Sequence, residues 1–199
     1  MCRTDLRRSP PFSHLFSSRH PFERLVSSYK DKIAGALPGS LHDKMRRKIT
    51  LKYRPPEDLP KDNRGVPVLP RVRQLPSKYV PTFAEFVRYI VEQAELGHEP
   101  DMHWAPVYSF CNPCQVNINT IAKVETMDED TEYILQKIKV SKGRIDMSKK
   151  NQAPDGKSAS DVANDFLKSI GSSLYAKILK LYIVDFDIFG YVPKAFSEL

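Results

Sequence analysis

The sequence of 199 residues is poor in cysteine, glycine and tryptophan, with three, eight and one of each. Three cysteines are too few for the disulfide framework of a small secreted scaffold. The chain contains no apolar run of the length of a transmembrane helix and no signal-peptide core after Met1. It also lacks zinc-finger spacing, RNA-recognition aromatics and a helix-turn-helix pattern. We therefore expect one globular domain with an apolar core, and nucleic acid is disfavoured as its partner.

Acidic residues are the minority among the charges, with 24 Asp and Glu against 31 Lys and Arg and a formal net charge of +7. This balance favours polyanionic partners. The densest basic cluster comprises Lys44, Arg46, Arg47 and Lys48, with Arg71 and Arg73 further along the chain. Two interpretations stay open for this cluster: a solvated face, or a track for an extended polyanion.

Hydrophobic periodicity predicts a mixed α/β organisation without repeats. Short strands are predicted at residues 14–18 and 120–125, and helices at 21–33, 41–51, 82–95, 128–138, 160–170 and 172–185. Thr82 and Glu85 have the spacing of a capping box ahead of the clearest helix. Residues 54–81 hold seven prolines and predict an extended surface loop, and residues 142–157 predict a polar one.

The segment at residues 19–32 reads RHPFERLVSSYKDK and is typical of a strand–turn–helix that presents an anion site. Pro21 suits the first turn of a helix, where a missing N–H costs nothing. Arg19 lies just ahead of the helix, where a guanidinium meets an anion near the positive end of the dipole, and Ser27 adds a neutral donor. On pattern alone, an amphipathic surface helix with a capping arginine is the competing interpretation.

Three blocks, in this order along the chain, resemble the carbohydrate sulfotransferases that use 3′-phosphoadenylyl sulfate (PAPS). The first is RxPFERLxSxYxxK at residues 19–32, and the second is DMHWAPVYSFCNPCQVNINTIAKVETMDED at residues 101–130. The third is LYIVDFDIFGY at residues 181–191. The resemblance is strongest to the Golgi branch that sulfates chondroitin, dermatan and terminal N-acetylgalactosamine or glucuronate.

The resemblance implies a P-loop-type α/β fold with a parallel sheet flanked by helices, and PAPS as co-substrate without a metal. It places Arg19 and Ser27 on the 3′-phosphate of the nucleotide. The cofactor-binding segment then comprises Arg19, His20, Pro21, Phe22, Glu23, Arg24, Leu25, Val26 and Ser27. Within and after it, Arg24 is expected to pair with a neighbouring acid and Lys30 to face solvent. The implied partner is an anionic glycan acceptor, which the basic cluster would meet, and the implied location is the lumenal side of the Golgi membrane.

The family's earlier loop for the 5′-phosphosulfate is not seen ahead of Arg19. Residues 1–18 are therefore interpreted as a non-family segment and residues 19–199 as the C-terminal part of the domain. A fragment, a truncated gene model and a degenerate paralogue all fit this expectation. Two functions stay open: a PAPS-dependent O-sulfotransferase, or an inactive relative that only binds nucleotide or anionic glycan.

Sulfuryl transfer requires a base at the acceptor hydroxyl, and His103 and Glu125 are the two candidates. His103 is equally explained as a buried histidine that holds the loop at residues 101–106. Trp104 fits either a sugar-stacking or a core role. The remaining residues of interest have structural expectations: packing for Asp185, Phe186, Phe189 and Tyr191, and a structural role in an oxidising lumen for Cys111 and Cys114, with their pairing open and Cys2 without an obvious mate. A metal site of His103 with Cys111 and Cys114 is a weaker alternative.

Overall fold

The computed structural model of the chain describes residues 14–113, 115, 118, 120–140 and 157–199. In this part of the chain the elements are β1 (Leu15–Ser18), α1 (Pro21–Ser28), α2 (Leu41–Tyr53), α3 (Phe83–Glu95), α4 (Val107–Cys111), β2 (Thr120–Lys123), α5 (Met127–Lys137), α6 (Ala159–Lys168) and α7 (Ser172–Ile188). Cys2, Cys114 and residues 142–156 of the predicted loop lie outside the described residues. Nowhere in the described ranges does a helix have the length and apolarity to span a bilayer.

Strands β1 and β2 form a parallel pair, which confirms both predicted strands and an α/β fold with helices around a small parallel sheet. The register pairs Leu15 with Thr120 and Ser18 with Lys123. Because the strands are parallel, their carboxyl ends lie at the same edge. The turn that leads into α1 and the turn that leads into α5 therefore start side by side.

Helix α1 begins with Pro21 in its first turn, as predicted, and buries Phe22, Leu25 and Val26. The α-helix ends at Ser28, however, and residues Tyr29–Ala34 continue it as a π-helix, where the sequence predicted one α-helix over residues 21–33. The cause lies at Gly35, whose N–H bonds to the carbonyl of Lys30 at 2.8 Å. A Cβ at position 35 would lie 2.9 Å from that same oxygen, so glycine permits the wider turn.

The core is formed mainly by the apolar faces of α1, α3, α6 and α7. The predicted capping box at the start of α3 is present, since Thr82 and Glu85 bond each other's backbone N–H. Trp104 is 2% exposed and meets Phe86 edge-on at 5.2 Å, so its side chain is a core residue and is closed to a sugar. Gly171 joins α6 and α7 with a φ of 76°, a conformation that favours glycine.

Arg47 of α2 and Arg54, which directly follows that helix, fasten the proline-rich loop at residues 54–81 to the helices. Arg54 forms a forked pair with Glu85, at 2.6 Å and 2.8 Å, and also donates to the carbonyls of Lys78 and Val80. Arg47 donates to two carbonyls of the same loop, those of Pro70 and Val72. The loop is irregular, as predicted, and bound at several points.

The basic cluster on α2 is not uniformly solvated. Arg46 is 3% exposed and pairs with the buried Asp43 at 2.7 Å, so it belongs to the interior. Arg47 is half-buried and bonds Asp43 as well as the loop. The cations of the cluster that remain exposed are Lys44, Lys48, Arg71 and Arg73.

Candidate functional site

The turn between β1 and α1 lies at the carboxyl edge of the sheet. Ser18 ends the strand and is buried, and the N–H of Arg24 closes the first helical turn onto the carbonyl of His20 at 3.0 Å. The residues between strand and helix, Arg19 and His20, therefore lie at the positive end of α1. This is the strand–turn–helix that the sequence predicted.

Glu23 and Ser27 share one face of α1 because they are four residues apart, and Arg19 lies in the turn ahead of the helix, next to Glu23. Arg19 is about one-third exposed, and its Nε lies 3.5 Å from Oε2 of the largely buried Glu23. The other positions of the predicted segment have a different role: Phe22, Leu25 and Val26 are core side chains.

Glu23 is an acidic side chain at the place where the sequence predicts that an anion binds. Burial raises the pKa of the Glu23 carboxyl, and the nearby Glu125 raises it further, whereas the Arg19 guanidinium opposes both. The Arg19 guanidinium therefore compensates the negative charge of a buried carboxylate. Among the described residues it engages Glu23 through Nε, which leaves its two Nη atoms for a further acceptor.

Glu125 ties the second strand to this turn. One carboxylate oxygen accepts the backbone N–H of His20 at 2.6 Å, and the other accepts the hydroxyl of Tyr191 at 2.9 Å. Tyr191 also lies 3.3 Å from the hydroxyl of Ser18 at the end of β1. The side chain of Glu125 is exposed at the rim of the turn, with both oxygens already hydrogen-bonded.

The ring of His20 packs edge-on against Phe22, Phe186 and Tyr191, at centroid distances of 5.2–6.2 Å. Its Nδ1 is buried without a hydrogen-bond partner in the described part of the chain. Burial lowers the pKa of His20 in spite of the negative charge of Glu125. His20 is therefore neutral at neutral pH and adds no positive charge to the turn.

His103 is not a residue of α1 but lies beside the C-terminal end of that helix. Its carbonyl accepts hydrogen bonds from Arg24 at 3.2 Å and from Ser28 at 2.5 Å. Ser28 is eight residues beyond His20, which corresponds to about 12 Å along the helix axis. The structure therefore places Arg19 and Glu125 at the start of α1, and Glu23 and Ser27 on the helix itself. It separates the two candidate bases, because Glu125 lies at the start of α1 and His103 beside its end.

Arg24 holds the turn that carries His103. The guanidinium donates to the carbonyls of His103 and Ala105, so its hydrogen bonds go to backbone carbonyls where the sequence suggested a neighbouring acid. The nearby Asp185 is buried and instead accepts the N–H groups of Val107 and Tyr108 at the start of α4. Lys30 is exposed, as expected.

Sequence reasoning missed the contribution of the C-terminal segment. Phe186 and Phe189 pack in the core as predicted, but the Tyr191 hydroxyl connects Ser18 and Glu125, and Lys123 lies 4.4 Å above its ring. A small cavity beside Glu23 is lined in part by Asn164 and Lys194. The aromatic-rich pattern at residues 181–191 indicates packing, and nothing in it marks one tyrosine as a hydrogen-bond bridge.

Cys111 carries a free, partly buried thiol at the end of α4. Burial raises the pKa of this thiol, and the positive charge of Arg24 opposes that shift. The described residues therefore give Cys111 the properties of an unreactive thiol.

Comparison with known proteins gives a consistent result. A model described as "Sulfotransferase family" matches residues 5–192. The chain is 29% identical over 182 residues to mouse carbohydrate sulfotransferase 11, which covers 91% of this chain and 47% of that protein. It is 30% identical over 180 residues to human carbohydrate sulfotransferase 9, covering 87% and 36%. The chain thus spans less than half the length of these relatives, and no solved structure matches it.

Proposed function

Since this chain belongs to the sulfotransferase family, we propose that it transfers sulfate from PAPS to a hydroxyl of a glycosaminoglycan or N-glycan sugar, or forms the C-terminal part of a protein that does. The fold is then of the P-loop type, and the location is the lumenal side of the Golgi membrane. The observation that carries the proposal is the position of Arg19 in the turn between β1 and α1, at the carboxyl edge of a parallel sheet and next to Glu23 of the helix. Anionic groups of nucleotides bind at this position in α/β folds.

The residues at the start of α1 fit a 3′-phosphate. Among the described residues Arg19 bonds through Nε, so its Nη1 and Nη2 can form a forked pair with phosphate oxygens, which is the geometry that makes such contacts strong. The dipole of α1 favours negative charge at its start, and Ser27, in the last turn of α1, offers a hydroxyl donor on the face that carries Glu23. PAPS supplies the sulfuryl group on a phosphate leaving group, and this chain's part is to hold and orient the nucleotide.

Glu23 is proposed to moderate the affinity for the phosphate. At a pH above its raised pKa its carboxylate repels the phosphate and competes for Arg19. Glu23→Gln should therefore tighten binding of the product nucleotide PAP (adenosine 3′,5′-bisphosphate) by about 0.5–1 kcal/mol, since Arg19 is partly solvated.

This gain should depend on pH in a defined direction. As the pH falls through the raised pKa, wild-type Glu23 becomes neutral, so the affinities of wild type and Glu23→Gln should converge. Calorimetric titrations with PAP at several pH values measure the difference, and the comparison cancels the protonation of the phosphate itself. A gain that grows as the pH falls would contradict the role of Glu23.

The exposed cations near α2 are proposed to meet the anionic acceptor. Lys44 and Lys48 project from α2, and Arg71 and Arg73 lie on the loop that Arg47 fastens to the same helix. The acceptor's carboxylates and sulfates would be attracted by this charge. Arg46 and Arg47 have buried or backbone partners and serve the fold.

The base is proposed to be one of two residues, which a transfer assay separates. In an assay with PAPS and desulfated chondroitin, removal of the base should lower kcat by about 10²–10⁴-fold. His103→Ala removes an imidazole, whereas Glu125→Gln removes a charge but keeps an oxygen for the N–H of His20. A variant that loses kcat and keeps its affinity for PAP identifies the base.

The same assay separates the proposal from its alternative. Transfer that depends on PAPS supports the enzyme. PAP binding without transfer would mean that this chain only binds nucleotide or glycan. A folded chain that neither binds PAP nor transfers sulfate would overturn the proposed function for this chain by itself.

A further inference from the structure

Outside the Arg19 site, three metal-binding side chains converge where α2 meets the turn at residues 101–105. His42, in the first turn of α2, has its Nε2 3.2 Å from Oδ2 of Asp101. The ring of His103 lies 5.3 Å from the ring of His42, inclined by 63°. One donor atom from each of the three residues lies within 4.8 Å of the other two. All three residues are partly buried, so they are neither a solvated surface group nor part of the core.

The surroundings of these residues hold the donor atoms in place. The second carboxylate oxygen of Asp101 accepts the N–H of His103 at 2.9 Å, which leaves Oδ2 directed at His42. The backbone carbonyl of Asp101 accepts the N–H groups of Trp104 and Ala105 at 3.0 Å and 2.8 Å. His42 is fixed by a helix whose N-cap, Ser40, bonds the N–H of Asp43. Hydrogen bonds of this kind to a carboxylate orient metal ligands.

The geometry points to a Zn²⁺ site formed by His42, Asp101 and His103. Tetrahedral zinc with bonds of about 2.0–2.1 Å to nitrogen and oxygen places its ligand atoms roughly 3.3 Å apart. The separation of 3.2 Å between His42 and Asp101 already has this value. A rotation of the His103 ring closes the remaining edges, and water completes the fourth position. Two imidazoles with one carboxylate suit zinc better than magnesium or calcium.

A hydrogen bond between His42 and Asp101 explains only two of the three residues. The third, His103, reaches the same point by a different route, since Arg24 and Ser28 hold its carbonyl and Asp101 holds its N–H. These backbone contacts place the ring beside His42. The sequence suggested no metal, and the weaker alternative that it raised joined His103 to cysteines. Here His42, which is 61 residues away in sequence, takes their place.

A bound ion would affect the molecule in two ways. It would join α2 to the turn at residues 101–105, which Arg24 also binds, and so it should stabilise the fold. A ligated imidazole nitrogen also has no lone pair left for a proton, so zinc would withdraw His103 from proton transfer. Zinc should therefore inhibit transfer if His103 is the base and leave transfer unchanged if Glu125 is the base. The site itself does not depend on nucleotide binding or on the proposed function.

The test is calorimetric titration of the purified 199-residue chain with Zn²⁺, with Co²⁺ as a spectroscopic probe. We expect one Zn²⁺ per chain and no comparable binding of Mg²⁺. His42→Ala should weaken binding by at least about tenfold, and Asp101→Asn should weaken it while keeping an acceptor for the N–H of His103. His98→Ala is the matched control, because His98 is exposed and bonds Gln93 on α3.

The Co²⁺ spectrum distinguishes this site from one made by the cysteines. The proposal expects tetrahedral d–d bands without the charge-transfer band of a thiolate ligand, and it expects binding to persist after the thiols are alkylated. Loss of binding on alkylation would overturn the proposal, as would equal weakening by His42→Ala and His98→Ala. Absence of Zn²⁺ binding by the folded wild-type chain would overturn it as well, and circular dichroism establishes the folding of each variant.

Discussion

Replacing Arg19 with alanine is expected to weaken PAP binding by about 1.5–3 kcal/mol, since the proposed charge-assisted contact to phosphate would be lost. This corresponds to a roughly 10- to 150-fold higher Kd. Arg19 is partly exposed and its partner in the fold is Glu23 alone among the described residues, so the folded state should persist. Calorimetry with PAP measures the effect.

The control for Arg19 is Lys30→Ala, which removes one positive charge from an exposed position just beyond α1. It should leave the Kd for PAP within about twofold, since exposed charges contribute little to a contact they do not make. Equal losses in Arg19→Ala and Lys30→Ala would mean that only net charge matters. An unchanged Kd in Arg19→Ala would remove the residue from the site.

Replacing Arg24 with alanine should produce the opposite pattern, with a large loss of stability and little change in nucleotide affinity. The guanidinium donates to the carbonyls of His103 and Ala105, and its removal leaves both acceptors without that donor. The free energy of unfolding should fall by about 1–3 kcal/mol, since Ser28 still donates to the carbonyl of His103 whereas the carbonyl of Ala105 loses the guanidinium. Denaturant unfolding measures the loss, and PAP titration of the folded fraction measures the affinity.

Arg88→Ala is the matched control for Arg24, because Arg88 is an exposed arginine on α3. It should change the free energy of unfolding by no more than about 0.5 kcal/mol. A stable Arg24→Ala protein that has lost PAP binding would assign Arg24 to the nucleotide, as the resemblance of the whole segment suggests. The structural role in holding the 101–105 turn would then be wrong.

The secondary structure was largely readable from the sequence because its signals are local. Pro21, the Thr82–Glu85 capping box and Gly171 act on their own neighbours, and each lies where it was predicted. The π-helix was not readable, since it depends on a hydrogen bond to the N–H of Gly35 rather than on a residue pattern. The burial of Arg46 is also not predictable from the sequence, because a run of charged residues does not reveal a buried partner such as Asp43.

The candidate site likewise contains some contacts that follow from local sequence and others that depend on tertiary packing. Glu23 and Ser27 are four residues apart, so helical geometry alone places them on one face of α1. The hydrogen bonds of Glu125 and the convergence of His42 with His103 join residues far apart in the chain. No period or motif encodes such contacts, since tertiary packing alone brings those residues together.

Tyr191 gives the site an unusual dependence on the order of synthesis. Its hydroxyl lies beside Ser18, 173 residues earlier in the chain, and Glu125 is 105 residues from the N–H of His20 that it accepts. Contacts of such long range form late, after the local helices, because the intervening chain must first be closed into a loop. A nascent chain on the ribosome therefore carries the Arg19 turn without the Tyr191 hydrogen bonds until its last residues have emerged. A stop codon just before Tyr191 would leave the turn without those bonds to Ser18 and Glu125.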